Sequence, residues 1–198
     1  EERISEELSK IKVLDPACGS GAFPIGILQK IVALKQQLHP KIKNYKLKLD
    51  TIQNSIYGVD IQPMAVELSR LRCWLSLVVD EDPKDIKALP NLDFKFVCAD
   101  SLMEVGKIKQ INIGNSAEKI EELKALRTEF FIASGKRKIE LEKKFKQIQT
   151  SLNNNFLEWD GKSKLVENLA SWKPFDNHKT EWFDAFWMFG LNDGFDVV

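Results

Sequence analysis

The stretch Val13-Leu14-Asp15-Pro16-Ala17-Cys18-Gly19-Ser20-Gly21-Ala22-Phe23 decides the fold. An apolar run, then small turn-forming residues, then the onset of a helical apolar pattern reads as strand, tight loop, helix. Ile11 to Leu14 is the strand. From Ala22 to Leu38 the residues Phe23, Ile27, Ile31 and Leu34 recur at helical spacing, and His39-Pro40 ends the helix. A lysine-rich connector, Lys41 to Lys48, and a short helix over Leu47 to Gln53 follow. The unit then repeats. Ser55 to Val59 is a second strand, ending in Gly58-Val59-Asp60. Pro63 stands at a helix start, where its missing N–H costs nothing. Met64, Leu68, Leu71, Leu75 and Val78 then recur at helical spacing and define one apolar face. After a loop around Asp80 to Asn91, a third strand over Phe94 to Cys98 ends in Ala99-Asp100. Strands alternating with helices predict an α/β fold with a parallel sheet and right-handed crossovers.

After Asp100 the rhythm changes. Val105 to Leu152 holds eleven basic and six acidic residues, no proline and few strand formers, which favours helix. Ala117 to Ile132, with Ile120, Leu123 and Phe130 on one face, and Arg137 to Leu152, with Leu141, Phe145, Ile148 and Leu152 on one face, predict two helices. Ser134-Gly135 is the turn between them, and Asn153-Asn154-Asn155 the stop. The predicted organisation is an α/β core over 11–104 and an inserted helical hairpin over 105–155. An irregular tryptophan-rich segment over 156–194 and the start of a strand over 195–198 complete it. Each hairpin helix has one apolar stripe and a charged opposite face, so the hairpin is expected to project from the sheet domain without joining its core.

The balance of 29 basic against 29 acidic residues excludes a uniformly basic nucleic-acid coat, but not a local patch. No apolar run approaches bilayer-spanning length, so no membrane partner is expected. The polar start Glu1-Glu2-Arg3 is no signal peptide. Cys18, Cys73 and Cys98 are too few and too far apart for a disulfide framework or a zinc site, and read as buried thiols in a reducing, cytoplasmic setting. His39 and His178 have no metal-ligand spacing. The absence of an initiator Met, and the apolar Phe195-Asp196-Val197-Val198 at the other end, lead us to expect a fragment of a longer protein.

In parallel α/β sheets ligands bind beyond the carboxyl ends of the strands. Asp15, Asp60 and Asp100 fall at three such ends. One aspartate there is an ordinary turn residue, but three together with Gly19-Ser20-Gly21 suggest a ligand site. A P-loop requires Gly-Lys-Ser/Thr, and Ala22-Phe23 follows Gly21 instead. A dinucleotide fingerprint requires a third glycine where Pro24 stands. An adenosine ligand without phosphate remains. S-adenosylmethionine fits, because its carboxylate suits the free N–H groups of a helix starting near Ala22.

Val13 to Phe23 resembles motif I of the N6-adenine DNA methyltransferases, specifically the large type IIG, Eco57I-like restriction-modification enzymes. Ile56-Tyr57-Gly58-Val59-Asp60-Ile61-Gln62-Pro63-Met64-Ala65-Val66-Glu67-Leu68 is similar to the second motif, and Cys98-Ala99-Asp100-Ser101-Leu102 to the third. Trp187-Met188-Phe189-Gly190 and Gly194-Phe195-Asp196-Val197-Val198 resemble the approach to the catalytic motif. The resemblance implies a partial Rossmann-like methyltransferase sheet, S-adenosylmethionine as cofactor and double-stranded DNA as partner. It implies that Asp15, Pro16, Ala17, Cys18, Gly19, Ser20 and Gly21 contact the methionine part. Asp60 would take the ribose hydroxyls and Ile61 the adenine face. Asp100 would take the adenine amino group, with Ser101 and Leu102 beside it. A carboxylate offers two acceptors to a vicinal diol, which suits the Asp60 role independently. The Asn-Pro-Pro-Tyr/Phe motif that holds the flipped adenine would follow Val198. No catalytic residue is therefore assigned, and the chain alone is expected to be inactive.

The same sheet also serves methyltransferases acting on RNA or protein, and a degenerate module could bind DNA or a partner through the hairpin. Lys136, Arg137 and Lys138 at the hairpin tip are candidate contacts to DNA phosphates, against a solvated tip. The tryptophans Trp159, Trp172, Trp182 and Trp187 are a base-stacking platform or, more simply, packing. Cys18 needs only to be small.

Overall fold

The computed structural model describes residues 2–80, 88–106, 117–160, 164–176 and 178–198. Its centre is a parallel sheet in the order β1 (Val13–Asp15), β2 (Ile56–Asp60), β3 (Phe96–Cys98). The register sets Asp15 opposite Gly58 and Asp60 opposite Cys98. The chain's last residues lengthen the sheet beyond β1. Val13 bridges Val197 in parallel, and the Leu14 N–H donates to the Val197 carbonyl at 2.9 Å. The order across the sheet is therefore the Val197 segment, β1, β2, β3. The chain steps from β1 to β3 in one direction and then returns to the far side of β1, which makes β1 the topological switch point.

Successive strand residues point to opposite faces, so each face needs its own cover. Val13, Ile56, Phe96 and Cys98 face α2 (Ala22–Leu38), α3 (Asn44–Ser55) and α4 (Pro63–Val78), and share a core with Leu28, Ile52, Cys73 and Leu77. Leu14, Tyr57, Val59 and Val97 face the other way. They share a core with Phe130 of α5 (Ala117–Ile132), Phe145 of α6 (Gly135–Asp160), Leu165 of α7 (Lys164–Ser171) and Trp187 of α8 (Ala185–Phe189). The result is a helix–sheet–helix sandwich, the partial methyltransferase sheet with its inserted hairpin that the sequence predicts.

The hairpin differs from its expected place. It does not project from the sheet domain: Ile120, Leu123, Leu126 and Phe130, with Leu141, Phe145, Ile148 and Leu152, lie in one core with the β1–β3 side chains. The reason is the uncovered sheet face, which gains more by burial than two free helices would. The second hairpin helix also runs on through Asn153-Asn154-Asn155 to Asp160, because packing of residues such as Leu152 outweighs the modest helix penalty of asparagine. The segment expected to be irregular contains α7 and α8. Trp172, Trp182 and Trp187 are buried there, which makes them packing residues and not a base platform. Asp184 caps α8 by accepting the Trp187 N–H at 2.9 Å. The Trp159 side chain and part of the loop after Asp80 lie outside the described residues.

Two further differences concern helices. The polar start forms α1 (Glu2–Lys10), on which Ile4 and Leu8 are one turn apart. The stripe Met64, Leu68, Leu71, Leu75 and Val78 of α4 is exposed, whereas Val66, Ser69, Arg70, Cys73 and Leu77 are the buried side. α4 thus carries apolar residues on two opposite faces, and the sheet takes the one with Val66, Cys73 and Leu77.

Candidate functional site at the carboxyl edge

The glycine loop at the switch point is built by three local constraints. Gly21 has φ 84 and precedes α2, a left-handed conformation that a side chain disfavours. A Cβ on Gly21 would also stand 2.9 Å from the Ser69 hydroxyl oxygen of α4. Gly58 in β2 is required for contact: a Cβ there would lie 2.6 Å from the Phe96 ring and 3.2 Å from the Cys18 Cβ. The loop is tied to β2 by the Cys18 N–H, which donates to the Val59 carbonyl at 2.9 Å. Ser69 adds a second tie, donating to the Gly19 carbonyl at 3.0 Å. Sequence reasoning missed Ser69, because it stands on the face of α4 opposite the apolar stripe that the sequence shows.

The three aspartates share one local motif. Each accepts an N–H two residues on: Asp15 from Ala17 at 3.2 Å, Asp60 from Gln62 at 2.8 Å, Asp100 from Leu102 at 3.1 Å. These are the aspartate turns that such residues favour anywhere. Asp60 does more. Its other oxygen accepts the Gly19 N–H at 2.8 Å, which couples the end of β2 to the glycine loop. Asp60 is nearly buried, whereas Asp15 and Asp100 are partly open.

Burial pushes the Asp15 carboxyl above its ordinary range; the Ala17 N–H opposes this and the Asp60 charge adds to it. The buried Cys18 thiol is pushed up to about 11, chiefly by desolvation, and is protonated at neutral pH. That leaves Cys18 a small packing residue beside Ser69. Beyond β3, the Asp100 N–H donates to Thr180 and the Thr180 N–H to Cys98, both at 2.9 Å, so residues after the hairpin complete the wall of the site. Lys179 stands next in the chain; its ammonium pKa is raised first by a hydrogen bond to Glu181, with Asp100 adding to the effect. Phe23, Ile61 and Leu102 are 44%, 43% and 90% exposed, so apolar side chains accompany the acidic groups along this edge.

The hairpin tip is elsewhere. Asn91, in the turn that leads into β3, donates through its amide to the Phe130 and Ala133 carbonyls at 2.6 and 2.7 Å. That places the tip at the amino edge, on the far side of the sheet from the aspartates. Arg137 is paired with Glu129 at 2.6 Å and Glu140 at 3.2 Å, and Lys138 lies 4.0 Å from Glu142. Two of the three candidate DNA contacts thus have acidic neighbours within the hairpin. Among the described residues no helix is long and apolar enough to cross a membrane.

At the carboxyl edge, then, a glycine loop at the switch point lies beside acidic ends on three adjacent parallel strands. The model of the family "N-6 DNA Methylase" matches residues 2–88. The model "Eco57I restriction-modification methylase" matches residues 54–198, and the chain belongs to that family. Among its relatives is the "Putative type II restriction enzyme and methyltransferase RM.MjaORFECS2P" of Methanocaldococcus jannaschii, 40% identical over 106 residues, or 50% of this chain. Another is the "Adenine-specific methyltransferase PglX" of Streptomyces coelicolor, 28% identical over 109 residues, or 54% of this chain. The chain spans 9% of the length of each. No solved structure matches it.

Proposed function

We propose that the carboxyl edge binds S-adenosylmethionine, and that the whole protein transfers its methyl group to the N6 of adenine in double-stranded DNA. One observation carries the cofactor reading: Asp60 ends β2 at the switch strand's side and reaches across to the glycine loop. The residues fit the group. α2 begins without a side-chain cap, so its first N–H groups are available to a carboxylate. The partly open Asp15 carboxylate offers an acceptor to the ammonium of the methionine part. Pro16, Ala17, Cys18, Gly19, Ser20 and Gly21 form the loop around it. Asp60 has lone pairs left for the ribose hydroxyls. Ile61 and Leu102 offer apolar surface to the adenine ring, and Asp100, beside Ser101, an acceptor to its amino group.

When bound, the cofactor supplies an electrophilic methyl group on sulfur. The residues of this chain bind and orient it; they take no proton in the reaction. Transfer to an amino nitrogen depends on alignment, and the base must leave the duplex to be aligned. The Asn-Pro-Pro-Tyr/Phe motif that does this in the family is not among these 198 residues. We therefore expect no methyl transfer from the chain alone. A radiolabelled methyl-transfer assay on adenine-containing duplex tests this, and turnover would refute it. Calorimetry with S-adenosylhomocysteine tests the cofactor site. Asp60→Ala should weaken binding by about 1–3 kcal/mol, because two hydroxyl donors lose a charged acceptor. Equal affinities would remove Asp60 from the site.

A further inference from the structure

The amino edge of the sheet holds a cavity of about 190 Å³ between β2, the turn before β3 and the hairpin. Its cationic lining is Lys95, Lys124 and Arg127, joined by the amide side chains Asn54 and Asn91. Among the described residues no carboxylate lines it. Lys124 has a partner outside the cavity, Glu121 at 2.7 Å. Among the described residues no carboxylate pairs with Lys95; its ammonium lies 4.0 Å over the Tyr57 ring. Arg127 is buried in the core, donates one nitrogen to the Trp187 carbonyl, and leaves its buried Nε without an acceptor. Gly190 is what leaves room beside it, since a Cβ there would stand 3.2 Å from Arg127 Nη1.

Lys95 is half-buried against the Tyr57 ring, and Arg127 lies 5.6 and 5.4 Å over the Phe94 and Phe145 rings with one carbonyl acceptor, so neither cation meets a counter-charge among the described residues. An anion would bring charge-assisted acceptors to both. The cavity has room for a tetrahedral oxyanion with a few waters, on the order of six water volumes in all. We propose that this cavity is an anion site for a phosphate-class oxyanion, held by Lys95 and Arg127 with Lys124 at its rim. Desolvation pulls the Lys95 ammonium pKa down to about 7, with the Lys12 charge lowering it further, and the Arg127 guanidinium down to about 9. A bound anion acts on both in the opposite sense. The site lies at the other end of the sheet from the aspartates and stands whether or not S-adenosylmethionine binds there.

The test titrates the chain with inorganic phosphate at constant ionic strength against chloride. Phosphorus NMR line width and the melting temperature are the readouts. Parallel arms use adenosine monophosphate and a short DNA duplex, and the tightest arm identifies where the phosphate comes from. Saturable binding is expected, with a rise in melting temperature that chloride does not reproduce. Lys95→Met should lower the affinity at least about tenfold and Lys124→Ala a few-fold, while the exposed Lys30→Ala leaves it unchanged. Absence of saturable binding in all arms overturns the proposal. So does wild-type affinity in Lys95→Met or, if that variant does not fold, in Lys124→Ala.

Discussion

At the carboxyl edge of the sheet, Asp15, Asp60 and Asp100 each find a backbone N–H two residues further on. At the amino edge Lys95 and Arg127 line a cavity that offers them no carboxylate. The contrast follows from what the backbone provides. A strand that ends in a turn presents N–H donors to an aspartate at once, so an acidic strand end satisfies itself. A lysine needs a carbonyl within reach, which Lys12 finds at Asn54 and Lys95 does not. Self-satisfied aspartates do not by themselves reveal a ligand; the bond from Asp60 to Gly19 across the sheet does more. Cations that share a cavity without a carboxylate are, by contrast, the feature on which the anion site is proposed.

The largest effect is expected from removing what lies behind both edges. If the edges were separate modules, deleting 117–152 with a short linker would spare the aspartate edge. The shared core argues otherwise, because Leu14, Tyr57, Val59 and Val97 lose the part of their cover that α5 and α6 supply. Each apolar side chain exposed costs about 1.5–3 kcal/mol, against a total stability of about 5–15 kcal/mol. The deletion should therefore abolish cooperative melting and S-adenosylhomocysteine binding together. A folded deletion protein with intact affinity would return the hairpin to the status of an appendage.

The next effect separates the two loop glycines. Gly21→Ala should cost about 1–3 kcal/mol, since it combines a positive φ with contact against Ser69. Gly19 has φ 52 but open space around it, so Gly19→Ala should cost about 1–2 kcal/mol at most. Chemical denaturation ranks them. The reverse order would mean that the loop is not seated on α4 as described.

At the amino edge the expected sign is opposite. Lys95 has a folded-state pKa near 7, below the usual lysine value, so folding disfavours its charged form. The penalty is full below about pH 7 and fades as pH rises toward the unfolded value of about 10.4. Lys95→Met should thus raise the melting temperature in phosphate-free buffer at pH 7, with a gain that shrinks by pH 10. A constant gain across this range would assign the effect to packing and not to charge.

The parallel sheet, the order of its units and the acidic strand ends were legible because they come from short-range signals: Gly19-Ser20-Gly21, Pro63, and apolar runs ending in aspartate. The hairpin helices were legible from their stripes, but not where they pack, because a stripe does not say which surface it meets. Lys95 sits in a strand run that shows only apolar alternation, and Arg127 in a helix full of charges, so their meeting depends on the fold. Ser69 was hidden for the same reason. α4 misled most, since its more apolar stripe is the exposed one.

The outer face of that helix supplies the smallest effect. α4 runs from the carboxyl edge, where Pro63 follows Asp60, back toward the amino edge, and its two faces do different work. Leu77 is fully buried in the core under the sheet, so Leu77→Ala should cost about 2–5 kcal/mol by leaving a cavity. Leu75, two residues earlier, is 54% exposed, and Met64 70%. Leu75→Gln and Met64→Gln should each change stability by no more than about 0.5 kcal/mol, because little surface is returned to water. Thermal melts of the three variants decide it. If Leu75→Gln costs as much as Leu77→Ala, the outer stripe is covered within this chain, and both sheet edges are braced from a side that the described residues leave open.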